Sequence, residues 1–397
     1  MKPNRRAILA AGAAAPLYVP RSAWGANDKI AYALIGAGGR GRYLSRKFQL
    51  LGAECVGLAE VYSPKLEMAQ AESPPGIKAT VDYNEILAMP SVDAVVLGGP
   101  THQHWPMVRE SLKAGKDIYT EKPLAWSIPE CQTMIDAVAK TDRIVQVGMQ
   151  RRSFQPIIDC KKWLDDGMIG EISMVTAEWN WHTSKPMNNA PLPGKLDWKR
   201  WLGEAPDRPL EPARFRSWRN YKDYGGGPLA DQGTHLLDVI QWFTNSGTPE
   251  TAVCQGSLQK NTGAEHADVF SAAFTYDSKL IVTWALNYCN CYDDWWTLKF
   301  RGDEGTLVFK ARSFEIFKEP WKPGDKPMMA GYKDAPGVPT EPHIRNFLDC
   351  VKTREQPNST VAKAAEAVSG PHLANLAFFS GRRMTMKEAE TLTLRDV

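Results

Sequence analysis

A turn constrains this chain more than any other feature. The apolar run KIAYALIG at residues 29–36 leads directly into AGGRGRYLSRKFQLLG. The run is continuous rather than alternating, as in a strand buried on both faces. Gly36, Gly38 and Gly41 fit G-x-G-x-x-G between that strand and a helix over residues 42–52, where Gly52 closes the helix as its C′ residue. The first glycine permits the tight turn. The second lets backbone approach a pyrophosphate, and the third lets helix and strand pack closely. The helix N-terminus then offers unpaired N–H groups to the phosphates. Gly39 and Arg40 belong to the same loop and are expected against the cofactor.

Glu60 strengthens the dinucleotide reading. It stands nineteen residues after Gly41, at the end of the strand predicted from ECVGLAE. A carboxylate there accepts from the adenosine ribose hydroxyls and repels a 2′-phosphate, which favours NAD over NADP. Arg40, Arg42 and Lys65 lie close in sequence and suit a phosphate, so NADP stays open.

The β-α-β rhythm continues. Ser63 and Pro64 read as N-cap and N1 of a helix reaching about Glu72. VDAVVLGG, KDIYTE and RIVQVG read as strands, with HWPMVRESLKAG and CQTMIDAVAK as helices between them. Ser127 and Glu130 form an S-x-x-E capping box. Such repetition predicts an α/β fold whose N-terminal part is a Rossmann-type, doubly wound parallel sheet. After about Gln150 the texture changes. A helix over residues 156–166 precedes alternating strands: ISMVTAEWNW, TAVCQGSLQ, DVFSAAFTYD, KLIVTWALNY and WWTLKFRGDEGTLVF, with YDSK and RGDEG as hairpin ends. That predicts a C-terminal α+β domain with a large, mostly antiparallel open sheet and helices on one face. For 397 residues two domains suffice. Residues 27–149 are expected to bind the dinucleotide. Residues 150–397 are expected to bind substrate and mediate oligomerisation, with the final helices packing back on the first domain. The Pro/Gly-rich residues 318–342 read as a surface arm.

Residues 1–26 differ. Arg5 and Arg6 precede an apolar run at residues 7–19, followed by Ala23, Gly25 and Ala26. This is the pattern of an export signal, and the arginine pair points to the twin-arginine route, with a mature start near Asn27 and a periplasmic or exported product. The apolar run is shorter than the ~20 residues a span needs, and no later segment qualifies, so no membrane insertion is expected after signal removal. A net charge of +3 with no concentrated basic block argues against a nucleic-acid partner. Seven cysteines, an odd number without C-x-x-C, do not make a disulfide framework or a zinc site. Cys289 and Cys291 would share one side of a strand and read as buried thiols. His102 and His104 invite a metal reading. At the end of the VVLGG strand the cofactor side of a cleft suits them better, with Pro100 and His104 shaping it, and no metal is expected.

GGPTHQHWPMVRESLKAGKDIYTEKPLAWS, YGGGPLADQGTHLLDVIQWF and HIRNFLDCVKTREQPN, together with GAGGRGRYL, resemble the Gfo/Idh/MocA oxidoreductases, the family of glucose–fructose oxidoreductase and inositol dehydrogenase. The resemblance runs from about Lys29 to the last helices. It implies a catalytic lysine at Lys122, between Glu121 and Pro123, with Glu121 and Lys122 on the cofactor side. It implies that Asp231 and His235 line the substrate site, that the bond before Pro123 is cis, and that the protein is a dimer or tetramer. Chemistry supports the same residue types. Oxidising a carbinol needs a hydride acceptor and a base, and histidine titrates nearest neutral pH. A cation aimed at the oxygen stabilises developing alkoxide. Asp231 and His235, four apart on a helix, share a face, so Asp231 is expected to hold the imidazole or bind a neighbouring hydroxyl. The glycines before them are expected to let the chain pass close to the nicotinamide. Asp238 reads as structural.

Fourteen tryptophans, eleven of them after residue 150, suit the apolar faces of sugar rings. Trp179, Trp181 and His182, on a strand of the second sheet, are the expected substrate contacts. An exported chain with a dinucleotide site meets little free cofactor, so the nicotinamide is expected to stay bound through many turnovers. The expected activity is hydride transfer to or from a sugar, polyol or glycoside. The alternatives are redox-assisted glycoside cleavage through a keto-sugar and sugar binding with a structural NAD. Family members with glycosidase activity tend to depart from the E-K-P lysine, which is intact here.

Overall fold

The structure, a computed structural model, describes residues 29–292, 295–331 and 337–397. The export signal and the start near Asn27 lie outside the described residues. Six strands, β1 (Ala31–Ile35), β2 (Glu54–Ala59), β3 (Lys78–Thr80), β4 (Ala94–Leu97), β5 (Asp117–Thr120) and β6 (Val145–Val147), form a parallel sheet in the order β3-β2-β1-β4-β5-β6. β4 and β5 are buried at every residue, β4 as its unbroken apolar run requires, and β5 with its leading Asp117 paired to Arg354. The strand order reverses between β1 and β4, which opens a crevice beyond their carboxyl ends. Helices α1 (Gly39–Leu50), α2 (Ser63–Ala71), α3 (Tyr83–Leu87), α4 (His104–Lys113) and α5 (Ile128–Val138) connect the strands. β3 and α3 escaped the sequence reading because three and five residues are too few to show a period.

Two predicted caps differ. Tyr62, not Ser63, occupies the N-cap of α2, and the Ser63 hydroxyl instead accepts from Lys195 N at 3.0 Å. Ser127 does accept from Glu130 N, at 3.4 Å, but Glu130 reaches Trp126 N rather than Ser127 N, so only half of the box forms.

α6 (Gln155–Asp165) leads into the second sheet. It contains β7 (Ile172–Asn180), β8 (Thr251–Ser257), β9 (Val269–Thr275), β10 (Ile281–Asn287), β11 (Trp296–Gly302), β12 (Gly305–Lys310), β13 (Phe314–Lys318), β14 (Met329–Gly331) and β15 (Met384–Thr385). The order is β14-β13-β12-β11-β7-β10-β9-β8-β15, antiparallel except where β7 meets β10. The predicted arm is therefore partly woven into the sheet, because β14 lies within it. Cys289 is half-buried and Cys291 exposed, against expectation, because the chain leaves the strand after Asn287. All seven cysteines are free.

Between β7 and β8 the chain makes α7 (Trp198–Leu202), α8 (Pro212–Arg216) and α9 (Gly227–Thr244); α10 (Glu341–Thr353) and α11 (Val361–Ser380) lie between β14 and β15. α9 and the later half of α11 cover one face of the second sheet, with Leu236, Ile240 and Leu373 in the same core as Trp284 and Phe300. The first half of α11 belongs to the other core, where Ala364 and Val368 join Met134 and Val147. At 20 residues the helix is ~30 Å long, enough to serve both. α10 also returns to the first sheet, with Phe347 against Phe48 and Tyr119. Each such buried ring contributes about 1.5–3 kcal/mol.

Residues 183–224 cross to the first sheet and fasten there. Asp197 N donates to Val61 O at 2.9 Å, Ser63 N to Lys195 O at 2.9 Å, and Tyr62 Oη to Pro193 O. Gly194 has φ +85°, and a Cβ on it would lie 2.6 Å from Pro64 Cγ, so only glycine lets the segment lie this close. Tyr62, Trp201, Phe215, Tyr221 and Tyr224 then form a separate apolar cluster at the mouth of the crevice. No helix among the described residues is long and apolar enough to cross a membrane.

Candidate active site

The crevice is a cleft of about 760 Å³, walled by both sheets and by residues 200–219 of the crossing segment. The glycine loop forms its floor. Gly36 has φ +88°, and a Cβ there would lie 2.6 Å from Gly99 N. Gly41 does not reach the cleft; its added Cβ would strike Gly36 O, which is the close packing its place in the motif requires. Gly38 and Gly39 do face the cleft. A Cβ on Gly39 would meet nothing within 4 Å, and one on Gly38 only Lys65 Nζ at 3.9 Å. Open space therefore lies over bare backbone at the N-terminus of α1, where a pyrophosphate fits.

Glu60 is buried at the cleft wall. Its Oε2 accepts from Ala37 N at 2.7 Å and its Oε1 from Tyr62 N at 3.0 Å. Burial pushes its carboxyl up, and Lys65 and the two N–H donors only partly offset that. Held this way, the carboxylate keeps a lone pair on each oxygen for ribose hydroxyls. The bare loop, the helix terminus and this acid fit a dinucleotide. Pro100 lines the cleft, and so does Arg40, whose Nε donates to Glu121 Oε1 at 2.8 Å. His104 does not. Its Nδ1 lies 2.8 Å from Pro123 O and its Nε2 3.1 Å from Gly99 O, so the ring braces the wall from behind. His102 likewise turns inward to Trp201 O. Among the described residues no three His, Cys, Asp or Glu side chains group as a metal site would require.

Lys122 follows β5 and precedes a cis peptide at Pro123. Its Nζ donates to Asp231 Oδ1 and to the Asp231 carbonyl, both at 2.8 Å. Asp231 also accepts from Arg219 Nε at 3.3 Å on Oδ1 and from Gln232 Nε2 at 3.3 Å on Oδ2, and Gln232 in turn donates to Tyr288 Oη at 2.8 Å. Burial would raise the Asp231 carboxyl, but Lys122 and Arg219 outweigh it and hold the group well below the usual carboxylate range. Asp231 thus anchors the ammonium rather than the imidazole, because its acceptors are already claimed by three donors.

His235 lies one turn along α9, in the same cleft wall. It stacks on Trp179 with centroids 6.3 Å apart at 21°. Burial, then the charges of Lys122 and Arg151, hold the ring well below the usual histidine range. Both causes favour the neutral ring, in which one nitrogen carries a lone pair able to accept a proton. The preceding glycines do not approach the cleft. Gly225 packs on Trp218 and Arg219, Gly226 on Ala230 and Asn375, and Gly227, at φ +61°, on His266. Their small size serves packing of the α9 entry.

Trp179 and Trp181 both line the cleft, edge to face at 5.2 Å, and Trp181 stacks on Tyr288 at 5.7 Å. His182 is exposed and outside it, since one step along an extended chain turns a side chain to the opposite face. Gln150 Oε1 and Trp179 Nε1 are buried without a hydrogen-bond partner. Sequence reasoning missed Gln150, Arg219 and Gln232, all of which line the cleft, as does Trp218, one of the eleven later tryptophans suited to sugar rings. Gln232 had a signal in its position beside Asp231. Gln150 and Arg219 had none, because only tertiary folding brings them there.

Two family models match the chain. One, described as the oxidoreductase family with an NAD-binding Rossmann fold, matches residues 30–149, and the other, the GFO/IDH/MocA C-terminal domain, matches residues 157–308. The chain is 32% identical over 254 residues to scyllo-inositol 2-dehydrogenase (NAD(+)) of Bacillus subtilis, covering 63% of this chain and 64% of that one. It is 33% identical over 183 residues to inositol 2-dehydrogenase of Klebsiella pneumoniae, covering 43% of this chain and 53% of that one. The match thus spans little more than half the length of such relatives. Levoglucosan dehydrogenase in complex with NADH shares the fold, with a TM-score of 0.71 at 17% identity over 90% of this chain and 99% of that one. So does the WlbA dehydrogenase of Bordetella pertussis in complex with NADH and UDP-GlcNAcA, with a TM-score of 0.69 at 18% identity over 90% of this chain and 99% of that one. With both of its halves matched by models of one group, the chain belongs to the Gfo/Idh/MocA family of oxidoreductases, and residues 30–149 are that family's NAD-binding Rossmann domain.

Proposed function

We propose that this protein oxidises a secondary alcohol of a sugar, polyol or glycoside with a nicotinamide cofactor that it keeps bound. The observation that carries this reading is the convergence of Lys122, Asp231 and His235 in one cleft with the open glycine loop and Glu60. When bound, the nicotinamide supplies the acceptor for the carbinol hydride. The Lys122 ammonium donates to the carbinol oxygen and stabilises its developing negative charge. Neutral His235 takes the hydroxyl proton, a contribution of about 10²–10⁴-fold where geometry is right. Asp231 fixes the ammonium, and Trp179 and Trp181 offer apolar faces to a sugar ring. Polyol and sugar dehydrogenases among the relatives and structural neighbours support the substrate class. Glu60 supports NAD over NADP.

Retention of the cofactor follows from the export pattern of residues 1–26 and from the crossing segment, which is fastened to the end of β2 beside Glu60. Such a protein acts outside the cytoplasm and must reoxidise its cofactor on a second substrate or on the first product. We also propose a dimer or tetramer through the outer face of the second sheet, where Val253 and Ile281 stand exposed. The test is to purify the exported form, denature it and measure nucleotide. About one NAD(H) per chain is expected; a nucleotide-free protein that needs added NAD at every turnover would reject retention. A sugar with an electron acceptor should yield a ketone or lactone. Aglycone release from a chromogenic glycoside would instead establish redox-assisted glycoside cleavage.

A further inference from the structure

Two cations share one carboxylate oxygen at the reacting end of the cleft. Lys122 Nζ and Arg219 Nε both bond Asp231 Oδ1, at 2.8 and 3.3 Å. Arg40, nearer the glycine loop, is matched by Glu121. One positive charge therefore remains beside Lys122 once Asp231 is counted. Arg219 is also held in place. Its guanidinium carbon lies 4.3 Å from the centre of the Trp218 ring, and both residues line the cleft. Only Nε is tied among the described residues, and the side chain is 49% exposed. A guanidinium fixed by stacking and by one nitrogen presents its terminal amino groups as a planar fork, which matches a carboxylate in geometry and charge.

We propose that Arg219 binds a carboxylate on the substrate, and that the substrate class is a sugar acid: a uronic or aldonic acid, or a glycoside of one. The inference rests on the reading that this cleft oxidises a carbinol. The cofactor's pyrophosphate is the other anion within the cleft, but Lys65 already stands over Gly38 where that group fits, whereas Arg219 is bound to the residue that anchors Lys122.

The experiment uses the purified, cofactor-loaded protein and a panel of hexuronates, each paired with its neutral hexose. Reduction of the bound cofactor over a single turnover, followed against substrate concentration, gives a limiting rate and a half-saturating concentration that stand for kcat and KM, and quenching of NADH fluorescence by nucleotide-stripped protein reports cofactor affinity. The wild-type protein should prefer at least one uronate over its neutral partner by roughly tenfold or more. R219Q should abolish that preference, mainly by raising KM for the acid, and R219K, which keeps charge but not the fork, should restore it only in part. Thermal melting of each variant separates loss of recognition from loss of fold. Equal use of acids and neutral sugars by the wild type would overturn the inference. So would R219Q weakening NADH binding while the preference persists, which would assign the fork to the cofactor's phosphates. Turnover of no sugar of either kind would overturn the proposed function itself.

Discussion

Helix α9 carries two aspartates seven residues apart, and each meets a cation from just beyond a strand of the first sheet, Lys122 after β5 and Arg152 after β6. Asp238 accepts from Arg152 Nε at 2.6 Å, with side chains 2% and 7% exposed, and Arg152 lies over the Trp242 ring. Asp231 accepts from Lys122 Nζ at 2.8 Å, with side chains 18% and 14% exposed, and shares itself among Lys122, Arg219 and Gln232. Burial raises the Asp238 carboxyl despite Arg152, whereas the clustered cations hold Asp231 down despite its burial. One residue type on one helix face thus does two jobs. A closed pair with a single partner fixes the packing of α9. A pair open to the cleft, with more donors than it needs, holds an ammonium in the cleft wall, where the proposed function places the reacting carbinol.

The largest effect expected from this contrast is of acid on the closed groups. His102, His266, His343 and His372 are buried and lowered from 6.5 to about 4, mainly by burial. Between those values the unfolded chain takes up protons that the folded one refuses. Stability is therefore full above about pH 6.5 and falls as pH drops toward 4, by several kcal/mol in order of magnitude. Glu130, raised by burial to about 7, acts in the opposite direction, as do Glu60 and Asp238, but these three carboxyls stand against six buried histidines once His104 and His235, also lowered, are counted. Melting temperature should fall steeply from about pH 7 to about pH 5, and a flat profile would break the contrast.

Next comes the closed pair. Asp238→Ala strands the Arg152 guanidinium in the core and should cost about 3–5 kcal/mol in chemical denaturation, most of it recovered by pairing Asp238→Leu with Arg152→Met. A cost below about 1 kcal/mol would show that the pair is not the structural member. The open pair should behave conversely. Lys122→Met should lower turnover by about 10²–10³-fold while stability changes by about 1 kcal/mol or less. The smallest effect concerns the cofactor. Glu60→Gln should weaken NADH binding by about tenfold and narrow the discrimination against NADPH, read by fluorescence titration.

The sequence made the open pair easier to read than its surroundings. Lys122, Asp231 and His235 are legible through the family resemblance of the segments that carry them, with chemistry supporting the residue types, whereas the glycine loop is a local pattern set by what its turn must do. The same holds for the parallel sheet, whose buried strands show as unbroken apolar runs. His182 and His104 were misplaced because a single step along a strand or around a turn reverses a side chain's direction, and composition does not record that step. Asp231 was expected to hold His235 or bind a neighbouring hydroxyl, but the competing donor Arg219 became visible only with residues 183–224 folded across the cleft. β3, α3 and β14 are too short to carry a period and exist because longer neighbours offer them edges.

The most direct test of the whole account is a single turnover. The NAD-loaded protein is mixed with a sugar or sugar acid that it accepts, and reduced-nicotinamide absorbance is followed in the wild type and in Lys122→Met with nucleotide content verified in both. A rise in the wild type, slowed by about 10²-fold or more in the variant while its cofactor stays bound, is the predicted result. Equal rates in the two proteins would contradict the claim that the Lys122–Asp231 pair serves the chemistry.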